Sequence, residues 1–266
     1  MLRRHHGPLR VQKHFEPEPG LCQHIIVHPP AGMAGGDRLT LAIEVGPGAH
    51  AQLTTPGATP WYRAAVAASP ALSVAAAAPS AESPAARQSV SAKVLAGGVL
   101  ELLPREHILF DGAHAALDAT LDLAADARAI VWETLVLGRA HGDRPFLDGH
   151  LDLAARIVVG GELRLADRLR LDARDPMRRS PLGLAGASVM ASVFLVGPDL
   201  APATVAAVRA LATPCRAGLT QLPGVAVGRW LGAAVEPARQ WLEAVWSLTR
   251  PDLLGRAAVP PRIWRT

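Results

Sequence analysis

The stretch HIIVHPPAGMAGGDRLT, residues 24–40, sets two histidines, three glycines and an aspartate between apolar runs. A loop of this kind can cradle a phosphate, hold a metal or simply turn the chain. The phosphate reading fails. No Gly-Lys-Ser/Thr follows, and the loop leads into the alternating LTLAIEV rather than a helix, so no helix N-terminus is offered. As metal ligands, His24 and His28 share a strand face but lie about 13 Å apart at about 3.3 Å per residue, too far for one ion. Cys22 and His24 lie about 7 Å apart on the same reckoning and share an ion only with local distortion. The glycines are read as backbone geometry.

A second group of chemistry-bearing residues consists of carboxylates on strand faces that should be apolar. Glu133 shares its face with Ala129, Val131, Leu135 and Leu137. Asp167 shares its face with Leu163, Leu165, Leu169 and Leu171, and Glu106 falls on the side of Ile108 and Phe110. An unpaired buried carboxylate costs several kcal/mol or takes up a proton, so each needs an arginine, water or a cation. Singly, an arginine partner explains each one. Three together point to a polar route through the interior.

The elements that must position these residues repeat a strand, a glycine-rich or Ala-Asp turn, and another strand. LTLAIEV-GPG-AHAQLTT, SVSAKVLAGGVLELLP, LDATLDLAADARAIVWETLVL and LDLAARIVVGGELRLADRLRLD all follow this pattern. Pro47 and Gly48 suit the central positions of a type II turn. Leu117, Ala119, Leu121 and Leu123 alternate with Asp118, Thr120 and Asp122, the period of a half-buried strand. The expected fold is mainly β, an antiparallel layered or helical sheet scaffold, with about two helices toward the C-terminus. Those helices are expected at 200–212 and 236–255, the second with Pro237 in its first turn and Pro251 limiting its end. Trp241, Leu242, Val245 and Trp246 share one face of it, as core packing or as a docking surface. Residues 64–87, rich in Ala, Ser and Pro, read as an exposed loop within a single domain spanning 1–266.

Composition removes several function classes. Twenty-seven basic against 23 acidic residues give a net charge of +4, but only Lys13 and Lys93 are lysines and no basic run forms. With few aromatics to stack bases, nucleic-acid binding is excluded. Two cysteines make neither a disulfide framework nor a four-thiolate zinc site. The uncharged stretch 182–197 is short for a membrane span and reads as a buried strand with its approaches. The N-terminus lacks an apolar signal region, so a cytoplasmic protein without membrane association is expected. No Gly-x-Ser-x-Gly or His-Glu-x-x-His is present, and nothing indicates an enzyme.

Six blocks, in order, carry a resemblance: GPLRVQKHF, HPPAGMAGGDRL, TTPGATPWYR, LELLPREHILFDGA, WETLVLGRAHGDRPFLDG and PPRIWRT. Together they resemble the urease accessory protein UreD family, also called UreH. Departures are Pro60, where the family usually has lysine, Arg105, where it usually has glutamine, and a longer Ala-rich loop. The family also usually carries a further strand before GPLRVQ.

The resemblance implies a non-catalytic role. UreD proteins bind the urease apoprotein and recruit UreF, which docks the GTPase UreG that carries nickel. It implies a β scaffold with a pair of helices and a water-filled nickel path, with no tightly bound cofactor and nickel only in transit. Asp37, Glu106, Glu133 and Asp167 are then expected on that path, because a few oxygen ligands hold a divalent ion and still release it. Trp241, Trp246, Ile263 and Trp264 are expected at the partner interface, the tail with self-docking as its equal alternative. The competing reading is a β-rich interaction module with no direct metal role.

Overall fold

The computed structural model describes residues 2–64, 85–139 and 144–265. In chain order the strands and helices are β1 (Arg10–Val11), β2 (Leu21–Val27), β3 (Arg38–Val45), β4 (His50–Thr54), β5 (Thr59–Trp61), β6 (Ala86–Val94), β7 (Val99–Leu103), β8 (His107–Leu109), β9 (Ala113–Leu123), β10 (Arg128–Arg139), β11 (Arg144–Pro145), β12 (Gly149–Val159), β13 (Glu162–Asp172), β14 (Val189–Val196), α1 (Pro202–Arg209), β15 (Arg216–Leu222), β16 (Val225–Gly232) and α2 (Val235–Leu254). The loop expected at 64–87 falls mostly at 65–84, outside the described residues. Its described ends are a buried Ala64 and the start of β6.

Two sheets face each other. The larger runs β1-β2-β4-β7-β10-β14-β16-β15, with β5, β8 and β11 attached beside β10; the smaller runs β13-β12-β9-β6-β3. From β2 to β12, leaving aside the short β5, β8 and β11, the chain alternates between sheets, so the long strands that pair within a sheet are parallel: β2 with β4, β4 with β7, β7 with β10, and β3 with β6, β6 with β9 and β9 with β12. The mainly β layered scaffold is as expected, and its sheets are mixed, with these parallel ladders beside antiparallel ones. Of the four strand–turn–strand units, only β12–β13 is a hairpin. The other three turns are corners that carry the chain from one sheet to the next.

The corners are still tight turns. Ala49 N–H bonds Gly46 O at 3.1 Å, and Gly48, at φ 63°, takes the left-handed position that glycine occupies without strain. The same closure recurs as Gly98 N–H to Leu95 O and Ala127 N–H to Ala124 O. Bonds such as Gly48 N–H to Ala96 O stack one corner on the next. Antiparallel ladders enter where a true reversal occurs, at β10–β14, β14–β16 and β15–β16.

The molecule has three layers. Apolar rows such as Val45, Val94, Leu121, Val131 and Ile157 fill the space between the sheets. On the opposite face of the larger sheet, α1 and α2 cover Ile130, Val136, Val193 and Trp230. The α2 face expected from helical spacing is the one buried. Pro251 lies inside α2 rather than at its end, and Gly255 at φ 67° caps it. Covered on both faces, β10 is buried along nearly its whole length, as expected of a central strand. The uncharged stretch at 182–197 forms buried β14 with its approach. No helix among the described residues is long and apolar enough to cross a membrane.

Candidate functional site

The larger sheet has a break. β7 pairs with β10 as far as Leu102–Val131, and β8 resumes at His107–Leu135. Pro104 stands between, where it has no N–H to give to a ladder. Its carbonyl instead accepts the Trp132 indole N–H at 2.9 Å. The break leaves Trp132, Glu133 and Thr134 of β10 without a partner strand on that side. Two cavities between the sheets meet there, one of about 220 Å³ and one of about 60 Å³, sharing Gln88, Val90, Leu102, Pro104 and His107. At roughly 10–15 Å³ per water, the smaller holds a handful of waters.

Glu133 lines the smaller cavity, on the intersheet face its alternation indicated. Its Oε1 is buried without a hydrogen-bond partner. Across the sheet it stands in register with Ser192 of β14, which is opposite Arg229 of β16. The guanidinium of Arg229 bonds Ser192 and, from the facing sheet, Asp167. Asp167 therefore has the arginine partner that explains such a carboxylate, and Glu133 is left beside a cation already committed elsewhere. Desolvation pushes the Glu133 carboxyl up to about 7; Arg229 opposes the rise and Asp167 adds to it. Leu163, expected on the Asp167 face, is exposed, because a bulge at Ile157/Val158 shifts the register there.

His107 forms the neck between the cavities. Full burial pushes its imidazole down to about 4, so it is neutral. Its Nδ1 accepts the Trp61 indole N–H at 3.2 Å, which puts its own proton on Nε2. It therefore offers the neck a donor and no lone pair. His28 lines the larger cavity with a buried, unpartnered Nδ1, and desolvation holds its pKa below the usual histidine range despite the nearby Asp37. Asp37 is exposed and accepts the Ala34 N–H at 2.8 Å, closing the turn before β3. It stands beside the His28 end of the cavities.

Glu106 departs from this group. It shares its side with Ile108 and Phe110 as expected, but that side faces an outer groove with Arg105, Arg139 and Arg239 rather than the intersheet space. His107, one residue on, is the inward group. Alternation fixes which residues share a face; it does not say which covered face holds the cavity.

The tryptophans expected at a partner surface lie inside the chain, a correction with a plain cause. Trp241, Trp246 and Trp264 are buried in the helix-side core, and Ile263 packs against it. Trp264 sits 5.2 Å from Trp132 and 5.3 Å from Trp246, centroid to centroid. Its carbonyl accepts from Arg105 at 3.1 Å and Arg239 at 3.2 Å. These rings have better-fitting neighbours within the fold than solvent offers, so the tail docks on its own sheet. Trp264→Ala should destabilise the protein by about 3–5 kcal/mol, as for other buried aromatic truncations. Urea unfolding measures this; a loss below about 1 kcal/mol would return the tail to a partner-facing role.

Sequence reasoning missed a buried ionic cluster on the helix side of the larger sheet. Glu101 of β7 meets His50 Nε2 at 2.7 Å, the Trp246 indole N–H at 2.6 Å and Arg250 Nε at 3.2 Å. Arg250 reaches on to Glu18 at 2.8 Å and to the Ala257 carbonyl. The Glu101 and Arg250 side chains are both 0 % exposed. Desolvation alone would raise the Glu101 pKa, but His50, Arg250 and Trp246 outweigh it and hold it below the usual carboxylate range. The cluster ties α2 to the sheet and to the segment before β2. Its signal was present in VLELLP, where Glu101 interrupts an apolar run.

Among the described residues, no three His, Cys, Asp or Glu side chains converge on a metal position. The chain is 43 % identical to the urease accessory protein UreD of Nitrosococcus oceani over 268 residues, covering 100 % of this chain and 84 % of that protein. It is 43 % identical to the UreD of Pseudomonas fluorescens over 267 residues and to that of Pseudomonas aeruginosa over 268, covering 100 % of this chain and 89 % of each relative. The family described as UreD urease accessory protein matches residues 1–265, nearly end to end, and its members are accessory proteins rather than enzymes. The six ordered blocks and these full-length matches agree: the chain belongs to the UreD family of urease accessory proteins.

Proposed function

We propose that this protein is a non-catalytic urease maturation factor that binds the urease apoprotein together with UreF and UreG and conducts nickel between its sheets toward the urease site. The observation that carries the reading is Glu133, a carboxylate with a buried, unpartnered oxygen on the wall of a cavity that continues past His107 to His28. A carboxylate with no structural partner is available to a passing cation, and Asp37 adds negative charge beside the other end. Oxygen donors, few at any one point, hold a divalent ion loosely. His107, neutral and with its Nδ1 lone pair taken by the Trp61 indole, adds no tight nitrogen ligand. Glu106 and Asp167 have lesser parts: Glu106 faces the outer groove, and Asp167 is paired with Arg229.

The test is reconstitution of urease activation from apoprotein, nickel, bicarbonate, GTP and the accessory proteins, with and without this chain. Omission should leave urease with little nickel. Full activity and nickel content without it would overturn the proposal. The Asp167–Arg229 pair favours a second reading, an interaction module without a metal role. On that reading Glu133 variants assemble normally and load nickel normally.

A further inference from the structure

The two sheets do not end together. β13 is the last strand of the smaller sheet on its side, and its Asp167 reaches Arg229 of β16 in the larger one. The larger sheet continues one strand further, to β15. Opposite Val225, Val227 and Arg229 of β16, β15 carries Leu222, Thr220 and Gly218, all exposed. These alternate with Leu219, which is buried on the helix side, so they face the intersheet space. A Cβ at Gly218 would meet nothing within 4 Å among the described residues. At the same opening Leu165, Leu169, Val227 and Leu231 are only partly buried. Paired strands lie about 4.8 Å apart and facing sheets about 10 Å apart, so one more strand on β13 would lie over β15 and close the opening.

The free edge of β13 sets terms for what pairs there. Alternate backbone N–H and C=O groups point away from β12, a template for another strand. The register shift at Ile157/Val158 ends the regular edge before Leu165. At the other end, Arg216 of β15 bonds the Pro181 carbonyl at 3.0 Å and brings the loop after β13 across. On the outer face Arg170 stands opposite Asp152, Arg168 opposite Ala154 and Ala166 opposite Arg156. Arg168 and Arg170 share Asp152, at 2.7 and 3.5 Å, and Arg156 is exposed with no ion pair among the described residues. The outer face at this edge is therefore cationic. A second copy fits it badly. Counting along β13, antiparallel twofold pairing centred on any of residues 167–170 sets arginine against arginine or Asp167 against itself. Like charges directly opposite are destabilising.

We propose that the free edge of β13 takes an extended segment of a partner protein as the next strand of the smaller sheet, with apolar residues alternating inward and acidic residues outward. The apolar side chains cover Leu165, Leu169, Val227 and Leu222, and the carboxylates meet Arg156, Arg168 and Arg170. Main-chain bonds hold the segment, and the alternate side chains select it.

The test uses the full chain and a short capped peptide alternating valine and glutamate, with calorimetry and amide hydrogen exchange. One peptide per chain should bind, slow exchange within residues 165–171, and bind more weakly as salt rises. Replacing its glutamates with lysine should weaken binding roughly 10-fold or more. Arg168→Glu together with Arg170→Glu should invert that preference. Of two N-methylated peptides, one for each residue phase, the phase that faces β13 should fail and the other bind. Thr220→Glu, on the exposed face of β15, should weaken binding by setting a charge beneath the valines. The proposal is overturned by no binding at about 1 mM peptide, by equal binding of both N-methylated peptides, or by protection that leaves residues 165–171 unchanged. Self-association of the chain alone, with protection at those residues, would give the edge to a second copy and overturn it equally.

Discussion

Glu133→Gln should leave the protein more stable while urease activation falls. The Glu133 carboxyl titrates at about 7 in the fold, against 4.5 for the free group. The folded state therefore holds a proton that the unfolded chain gives up between those values. Linkage makes stability highest below the unfolded pKa and lowers it as pH rises through 7. At about 1.4 kcal/mol per unit, the burden on the wild type above that pH is at most about 3.5 kcal/mol. Glutamine keeps the shape and removes the charge, so the variant should gain most at pH 8 and least at pH 4. Thermal unfolding across pH measures this, beside complex formation and the nickel content of the urease product. A stable, complex-forming variant with empty urease supports the passage. Lost stability with normal nickel per complex would mean that Glu133 neutralises Arg229 after all.

Arg250→Met should be far more damaging than its place near the end of α2 suggests. The change removes the cation between Glu101 and Glu18 and leaves Glu101 buried with only neutral or histidine partners. Breaking a buried pair from one side costs about 3–5 kcal/mol. Adding Glu101→Gln should recover part of that loss, because the stranded charge is gone; the double-mutant cycle isolates this coupling. The Glu101 pKa is depressed in the fold, so the cluster's contribution is present above the unfolded value of 4.5 and fades as pH falls below it. Urea unfolding at pH 7 and at pH 4 should show a large deficit at the first and a smaller one at the second. A deficit under about 1 kcal/mol at pH 7 would show that packing, not charge, holds α2 down.

The sequence by itself determined which residues share a strand face, where the chain turns, the two C-terminal helices and the family. Each rests on local chemistry: alternation for β9 and β10, Pro47-Gly48 for a tight turn, and the apolar stripe of Trp241, Leu242, Val245 and Trp246 for α2. Only the tertiary structure decided that three of the four turns are corners, since a tight turn has the same local residues whether its flanking strands pair with each other or with strands of neighbouring coils. It likewise decided between Glu106 and His107, because both faces of the larger sheet are covered and the phase of an alternation cannot say which cover encloses the cavity. Cys22 Sγ lies 3.6 Å from His24 Nε2, closer than strand spacing indicates, because strand spacing does not record side-chain directions. The Glu101–Arg250 pair joins residues 149 apart in the chain. The burial of both charges is tolerable only because the fold brings them together, and no local pattern in either segment names the other as its partner.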